Sequence, residues 1–137
     1  MSESYLLDTS AILALRGDEP GAADVESILR KSESGQAKVY VSFMTYMETY
    51  YRIWRIEGED AAKRMYGELL SLPVFRVDMS DSILLRAGAI KANYSLSVAD
   101  AWIIASAVEV EAALVHKDPE FEQVQDIVSL IFLPYKT

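Results

Sequence analysis

The sequence contains no cysteine and a single histidine among its 137 residues. The first absence excludes a disulfide framework and any zinc site built on thiolates, and it fits a reducing compartment. Long apolar runs are also missing, and nothing approaches the roughly 20 residues that cross a bilayer. The opening Met1-Ser-Glu-Ser-Tyr-Leu-Leu-Asp8 has no basic segment, and its apolar stretch is too short for a secretory signal. These absences predict a soluble cytoplasmic protein with no membrane role. Basic residues are scarce too: 13 Lys and Arg stand against 21 Asp and Glu, for a net charge of −8. A protein that grips polyphosphate chains by charge alone carries a basic face, because neutralising phosphates releases counterions. Either such a partner is excluded, or metal ions supply the positive charge that side chains do not.

What is present is the composition of a globular domain, 51% apolar and 25% charged. The length suits one domain spanning residues 1–137, with no repeat, low-complexity tract or linker. Short apolar runs alternate with helical patterns. Tyr5–Leu7, Val39–Val41, Pro73–Val77, Ala113–Val115 and Ile127–Leu133 read as strands. Between them, helices are predicted from Ser10 to Arg16, from Ala22 to Ser32, and from the Ser42 cap to about Glu57. A fourth follows Gly58 to about Leu72, and Ser80 and Ser97 cap two more that reach about Tyr94 and Val110. Strands alternating with helices imply a three-layer α/β/α domain around a parallel sheet of about five strands. In such sheets ligands bind beyond the carboxyl ends of the strands, which directs attention to Asp8 and Asp118.

Each acid has an ordinary reading beside a chemical one. Asp8, in Asp8-Thr9-Ser10, follows the first strand, where Asp8 or Ser10 can simply cap the next helix. Asp100 begins the segment Asp-Ala-Trp-Ile-Ile-Ala-Ser-Ala-Val, apolar nearly all round and therefore buried. Ser97 and Asp100 have capping-box spacing, yet a cap does not explain a carboxylate in a core helix, which is costly unless paired or metal-bound. On the helix from Phe43 to Glu57, Phe43, Tyr46, Met47, Tyr50, Ile53 and Trp54 gather on one face, with Thr45, Glu48, Arg52 and Arg55 on the other. Glu48 is then either half of an i,i+4 ion pair with Arg52, or a cleft acid flanked by Arg52 and Arg55 for phosphate binding. Asp118-Pro119-Glu120 is either a solvated turn or the last wall of a metal site. An all-oxygen set without cysteine suits hard cations, magnesium or manganese.

The blocks Leu6-Leu7-Asp8-Thr9-Ser10-Ala11-Ile12-Leu13, Met47-Glu48, Leu96-Ser97-Val98-Ala99-Asp100-Ala101-Trp102-Ile103-Ile104-Ala105 and Leu114-Val115-His116-Lys117-Asp118-Pro119-Glu120-Phe121 together resemble PIN domains. More narrowly, they are similar to the VapC-type toxins of toxin–antitoxin pairs, over essentially the whole chain. The resemblance implies a five-stranded parallel sheet and a Mg²⁺-dependent endoribonuclease, with Mn²⁺ as a substitute ion. Its products would carry a 5′-phosphate and a 3′-hydroxyl. Asp8, Glu48, Asp100 and Asp118 take the places of the acidic quartet, and Ser10 that of a side chain supporting the first acid. Two positions depart from the common pattern: His116 stands where many relatives have Thr or Ser, and Glu120 where Asp is frequent.

Single-stranded or looped RNA is the expected substrate, because an acidic cleft needs extended backbone to reach its metals. Arg52, Arg55, Arg86, Lys91 and Lys117 are candidate phosphate contacts, or plain surface charge. A toxin implies a small basic antitoxin that places Arg among the carboxylates, and the aromatics from Tyr46 to Trp54 could serve that interface, a homodimer or the core. Two other acidic-pocket classes fit poorly. A HAD-type phosphatase needs a second Asp at the position of Ser10, and a receiver domain needs acids and a lysine that Asp78 and Lys117 match badly. The alternatives left open are a housekeeping RNA-processing nuclease and a PIN-like module that only binds RNA or protein.

Overall fold

The computed structural model describes residues 3 to 135. The run Tyr5-Leu6-Leu7 lies in β1 (Glu3–Leu7), and its alternation divides two cores: Tyr5 and Leu7 face one, Leu6 the other. A strand apolar on both sides belongs inside a parallel sheet covered on both faces. The other strands are β2 (Ala37–Ser42), β3 (Phe75–Val77), β4 (Ala113–His116) and β5 (Leu130–Phe132). All are parallel, in the order β3-β2-β1-β4-β5, with Tyr5 registered between Val39 of β2 and Ala113 of β4.

Four helices cover one face: α1 (Thr9–Arg16), α2 (Ala22–Glu33), α3 (Phe43–Glu57) and α4 (Glu59–Leu70). They bring Ile12, Val25, Ile53 and Leu69 onto Leu7, Val39 and Val41. The opposite face is covered by α5 (Asp81–Asn93) and α6 (Val98–Glu109), whose Ile83, Ile90, Ile103 and Ile104 meet Leu6 and Leu114. The three-layer α/β/α expectation is met. Ser42, Ser80 and Ser97 cap α3, α5 and α6 by accepting N–H groups of Met44, Ile83 and Asp100, each worth about 1 kcal/mol. Between α3 and α4, Gly58 takes φ 99°, which a residue with a Cβ rarely adopts. No described helix is long and apolar enough to cross a membrane.

Four expectations need correction. The last strand is not Ile127–Leu133 but Leu130–Phe132. Pro119–Val124 winds into a 3-10 helix, and the N–H groups of Ile127 and Val128 both turn back to the Val124 carbonyl, so extended pairing starts late. The third strand begins at Phe75 rather than Pro73, because proline has no N–H and Val74 donates to Leu72 at 2.8 Å. The fourth helix accordingly stops at Leu70. The buried face of α3 is also rotated from the expected one. Thr45, Tyr46, Thr49 and Ile53 are buried, while Met47 and Trp54 are 54% and 44% exposed. The helix packs on the β-branched i,i+4 ridge Thr45-Thr49-Ile53, whose hydroxyls both find partners; Thr49 donates to the Thr45 carbonyl at 2.9 Å, and Thr45 meets the Thr9 hydroxyl at 3.0 Å.

Candidate active site

The chain changes direction across the sheet at β1, with β2 and β3 on one side and β4 and β5 on the other. The carboxyl ends of β1 and β4 therefore flank the switch point at which open α/β sheets bind ligands. A cleft of about 640 Å³ opens there, and Asp8, Glu48, Asp100 and Asp118 all line it.

Asp8 leaves β1 with its N–H on the Val115 carbonyl at 2.9 Å, which locks it to β4. Its carboxylate caps α1: Oδ2 accepts the Ser10 N–H at 3.0 Å and the Ser10 hydroxyl. Ser10 Oγ in turn accepts the Lys117 N–H at 2.9 Å, so one hydroxyl joins the two strand ends. The capping reading is thus true of one oxygen. The other, Oδ1, is buried and has no hydrogen-bond partner among the described residues. An unmet buried carboxylate oxygen is costly, and a cation would satisfy it.

Asp118 repeats the pattern of a carboxylate that both caps a helix and lines the cleft, whereas Asp100 lines the cleft and is itself capped at its backbone. Ser97 Oγ accepts the Asp100 N–H at 3.1 Å at the start of α6. Asp118 Oδ1 accepts the Glu120 N–H at 2.9 Å and opens the 3-10 helix. Carboxylate oxygens of Asp100, Asp118 and Glu120 lie within 4.8 Å of one another, a spacing that suits a hard divalent cation. Burial pushes the Asp8 carboxyl up from 3.8 to about 6, opposed by its Ser10 bonds and helped by Glu48. Burial and then the negative charge of Asp8 push Asp100 up to about 7. Carboxyls that hold protons near neutrality are what crowded acids become when no cation separates them.

Glu48, half-buried on α3, accepts a hydrogen bond from the Thr9 hydroxyl at 2.8 Å. The expected Glu48–Arg52 pair is not among the described ion pairs; Arg52 is exposed and lines the cleft. Arg55 is off the cleft lining, with its guanidinium 5.1 Å above the Tyr51 ring. Arg86 and Lys91 sit on α5, also away from the lining. Lys117 lines the cleft, but it is not a free phosphate contact. It is buried, and its ammonium donates to Glu19 at 3.1 Å and to the Pro20 carbonyl at 2.8 Å. His116 is fully buried, and its Nδ1 accepts the Asp118 N–H at 3.2 Å. It therefore steadies the Asp118 backbone and leaves the carboxylate untouched. Burial holds its ring below the usual histidine range, in the neutral form that such an acceptor requires.

Sequence reasoning missed Thr9, Thr45 and Arg16. Hydrophobic patterning puts Thr45 on the outer face, yet the Thr45-Thr49-Ile53 spacing of one packed ridge signals its burial. Arg16 lines the cleft beside α3, its guanidinium 2.6 and 3.1 Å from the two Glu57 oxygens.

Comparison with known proteins bears on the family and the fold. The PIN domain family model matches residues 5–127. No curated protein sequence matches the chain. Among solved structures the chain is similar to VapBC2 from Rickettsia felis bound to a promoter DNA fragment, with TM-score 0.76 and 15% identity over 96% of this chain and 99% of that one. A toxin–antitoxin complex from Klebsiella pneumoniae gives TM-score 0.66 and 20% identity over 97% and 99%. VapC20 from Mycobacterium tuberculosis, a sarcin–ricin loop cleaving toxin, gives TM-score 0.68 and 18% identity over 88% and 94%. At these identities the structural likeness is one of fold. The family match itself runs from β1 past Asp118 and takes in every acid of the cleft, and on that ground the chain belongs to the PIN domain family.

Proposed function

We propose that this chain is a divalent-cation-dependent endoribonuclease and the toxin of a toxin–antitoxin pair. The observation that carries the reading is the partnerless, buried Oδ1 of Asp8 in a cleft also lined by Glu48, Asp100 and Asp118. Asp8, Asp100 and Asp118 are the residues to hold Mg²⁺ or Mn²⁺, with Glu48 across the cleft and Glu120 within reach of the cluster. A cation so held supplies positive charge opposite a scissile phosphate and acidifies water for in-line attack. The protein's own part is positional. The Ser10 bridge fixes Asp8 against the Lys117 backbone, and the caps at Ser97 and Asp118 fix the other two acids. Arg52 stands on the rim to meet a backbone phosphate. Extended or looped RNA fits such a rim better than a stacked duplex.

Membership of the PIN family and similarity in fold to toxin–antitoxin complexes support the second half of the proposal. The partner in this reading is a basic antitoxin, complementary to a chain of net charge −8. An apolar groove between α3 and α4, bordered by Phe43, Met47, Tyr50 and Tyr66, offers it a surface.

The test is cleavage of a pool of structured RNAs by partner-free protein, in Mn²⁺ or in EDTA, beside Asp8→Asn. Cleavage should need the ion and fall at least about 100-fold in the variant. Equal cleavage by Asp8→Asn, or cleavage unaffected by EDTA, would remove the acids from the chemistry. No cleavage and no ion binding would leave a binding module.

A further inference from the structure

We propose that Thr9 is a positioning residue that aims Glu48 into the cleft, with Thr45 fixing the direction of its hydroxyl. The inference rests on the reading of Glu48 as part of the cation site. Thr9 follows Asp8 directly and starts α1, so its side chain is fixed relative to the first acid by the backbone. Its Oγ1 lies 2.8 Å from Glu48 Oε1 and 3.0 Å from Thr45 Oγ1, which belong to a helix 36 to 39 residues further along the chain.

A hydroxyl donates one proton, and an ionised carboxylate only accepts. The Thr9 proton therefore goes to Glu48, and the Thr45 hydroxyl donates to Thr9 Oγ1. Both threonines are buried, at 2% and 0% exposure, so bulk water does not compete for these bonds. Glu48 needs such an anchor. It is a long side chain on a half-exposed position, and no described ion pair holds it. Fixing its rotamers in advance spares the site the entropy of ordering that side chain when a cation arrives.

The experiment is calorimetric titration of Mn²⁺ into the purified full chain, free of any partner, with circular dichroism confirming the fold. Thr9→Val keeps the shape and removes the hydroxyl; it should weaken Mn²⁺ binding about 10-fold. Thr9→Ser should return to within about 2-fold of wild type, and Thr45→Val should lose less than Thr9→Val, since Thr9 can still donate. On a Glu48→Gln background the Thr9→Val change should cost almost nothing further, because the hydroxyl acts through that carboxylate. In RNA cleavage, Thr9→Val should lower kcat and leave KM for RNA nearly unchanged. Should Thr9→Val fail to fold, Thr9→Cys carries the test, with binding expected between those of wild type and Glu48→Gln. Wild-type affinity in the Thr9 variant, or a full additional loss on the Glu48→Gln background, overturns the inference. A wild-type chain that binds no Mn²⁺ brings down the cation reading and this inference together. Normal wild-type binding with an indifferent Thr9 brings down the inference alone.

Discussion

Asp8 and Lys117 are both almost wholly buried at the same edge of the sheet, 4% and 8% exposed, and both carry a charge there in principle. They solve the problem in opposite ways. Lys117 is met by the protein itself, through Glu19 and the Pro20 carbonyl. Asp8 is met on one oxygen only, and Glu48 and Asp100, whose charges act on it, have the wrong sign. A buried charge completed from within belongs to the scaffold; one left incomplete is addressed to something from outside. The rim adds a third case. Arg16 and Glu57 are paired but solvated, at 28% and 43% side-chain exposure, and such pairs contribute little.

The contrast can be broken most sharply at Lys117. Lys117→Met should destabilise the fold by about 2–3 kcal/mol, seen as a lower midpoint in urea, because Glu19 loses its cation while a buried contact is disturbed. An unchanged midpoint would mean that Lys117 is no more structural than a surface lysine.

At the acids the sign reverses. The folded-state values of Asp8 and Asp100, about 6 and about 7, lie above the ordinary 3.8, so the folded protein binds protons more tightly than the unfolded chain. In EDTA the stability from these groups is fully present below about pH 4 and is lost as pH rises to about 7. Thermal unfolding in EDTA should thus show Asp100→Asn as more stable than wild type at pH 8, by about 1–2 kcal/mol after allowing for partial solvation, and level with it at pH 4. Excess Mn²⁺ should abolish the difference or invert it. A variant less stable than wild type at pH 8 in EDTA would show the Asp100 carboxylate to be a structural group and nothing more. The smallest effect belongs to the rim: Arg16→Gln should shift stability by less than about 1 kcal/mol. A larger loss would place the Arg16–Glu57 pair with Lys117 rather than with the surface.

How much of this was legible in the sequence depended on whether the deciding force was local. Asp8 and Asp100 stood out because a carboxylate ended an apolar strand or opened an apolar helix, and the alternating strands and helices gave the layers. The late start of β5 was hidden, since Ile127 and Val128 are good strand formers and only the turn back to Val124 removes them from the sheet. The face of α3 was misread because the hydrophobic pattern gives weight to Met47 and Trp54. Tight packing of the helix instead selected the compact threonines: Thr49 satisfies its hydroxyl within the helix, and Thr45 finds Thr9 only in the folded protein. Lys117 posed the same difficulty: a lysine beside an aspartate looks solvated until Glu19, distant in sequence, comes to meet it.

The Ser10 bridge has a consequence for how the molecule comes into being. It joins residues 107 positions apart, and the parallel pairing of β1 with β4 that supports it has no local substitute. Contacts this distant form late, after the intervening chain has been made and ordered. On a ribosome, Asp8 and Glu48 emerge long before Asp100 and Asp118, and a nascent chain carries only half an acid set. Assembly of the cleft therefore waits until the β4 segment has been made, and a shorter nascent chain lacks half of these acids by topology alone.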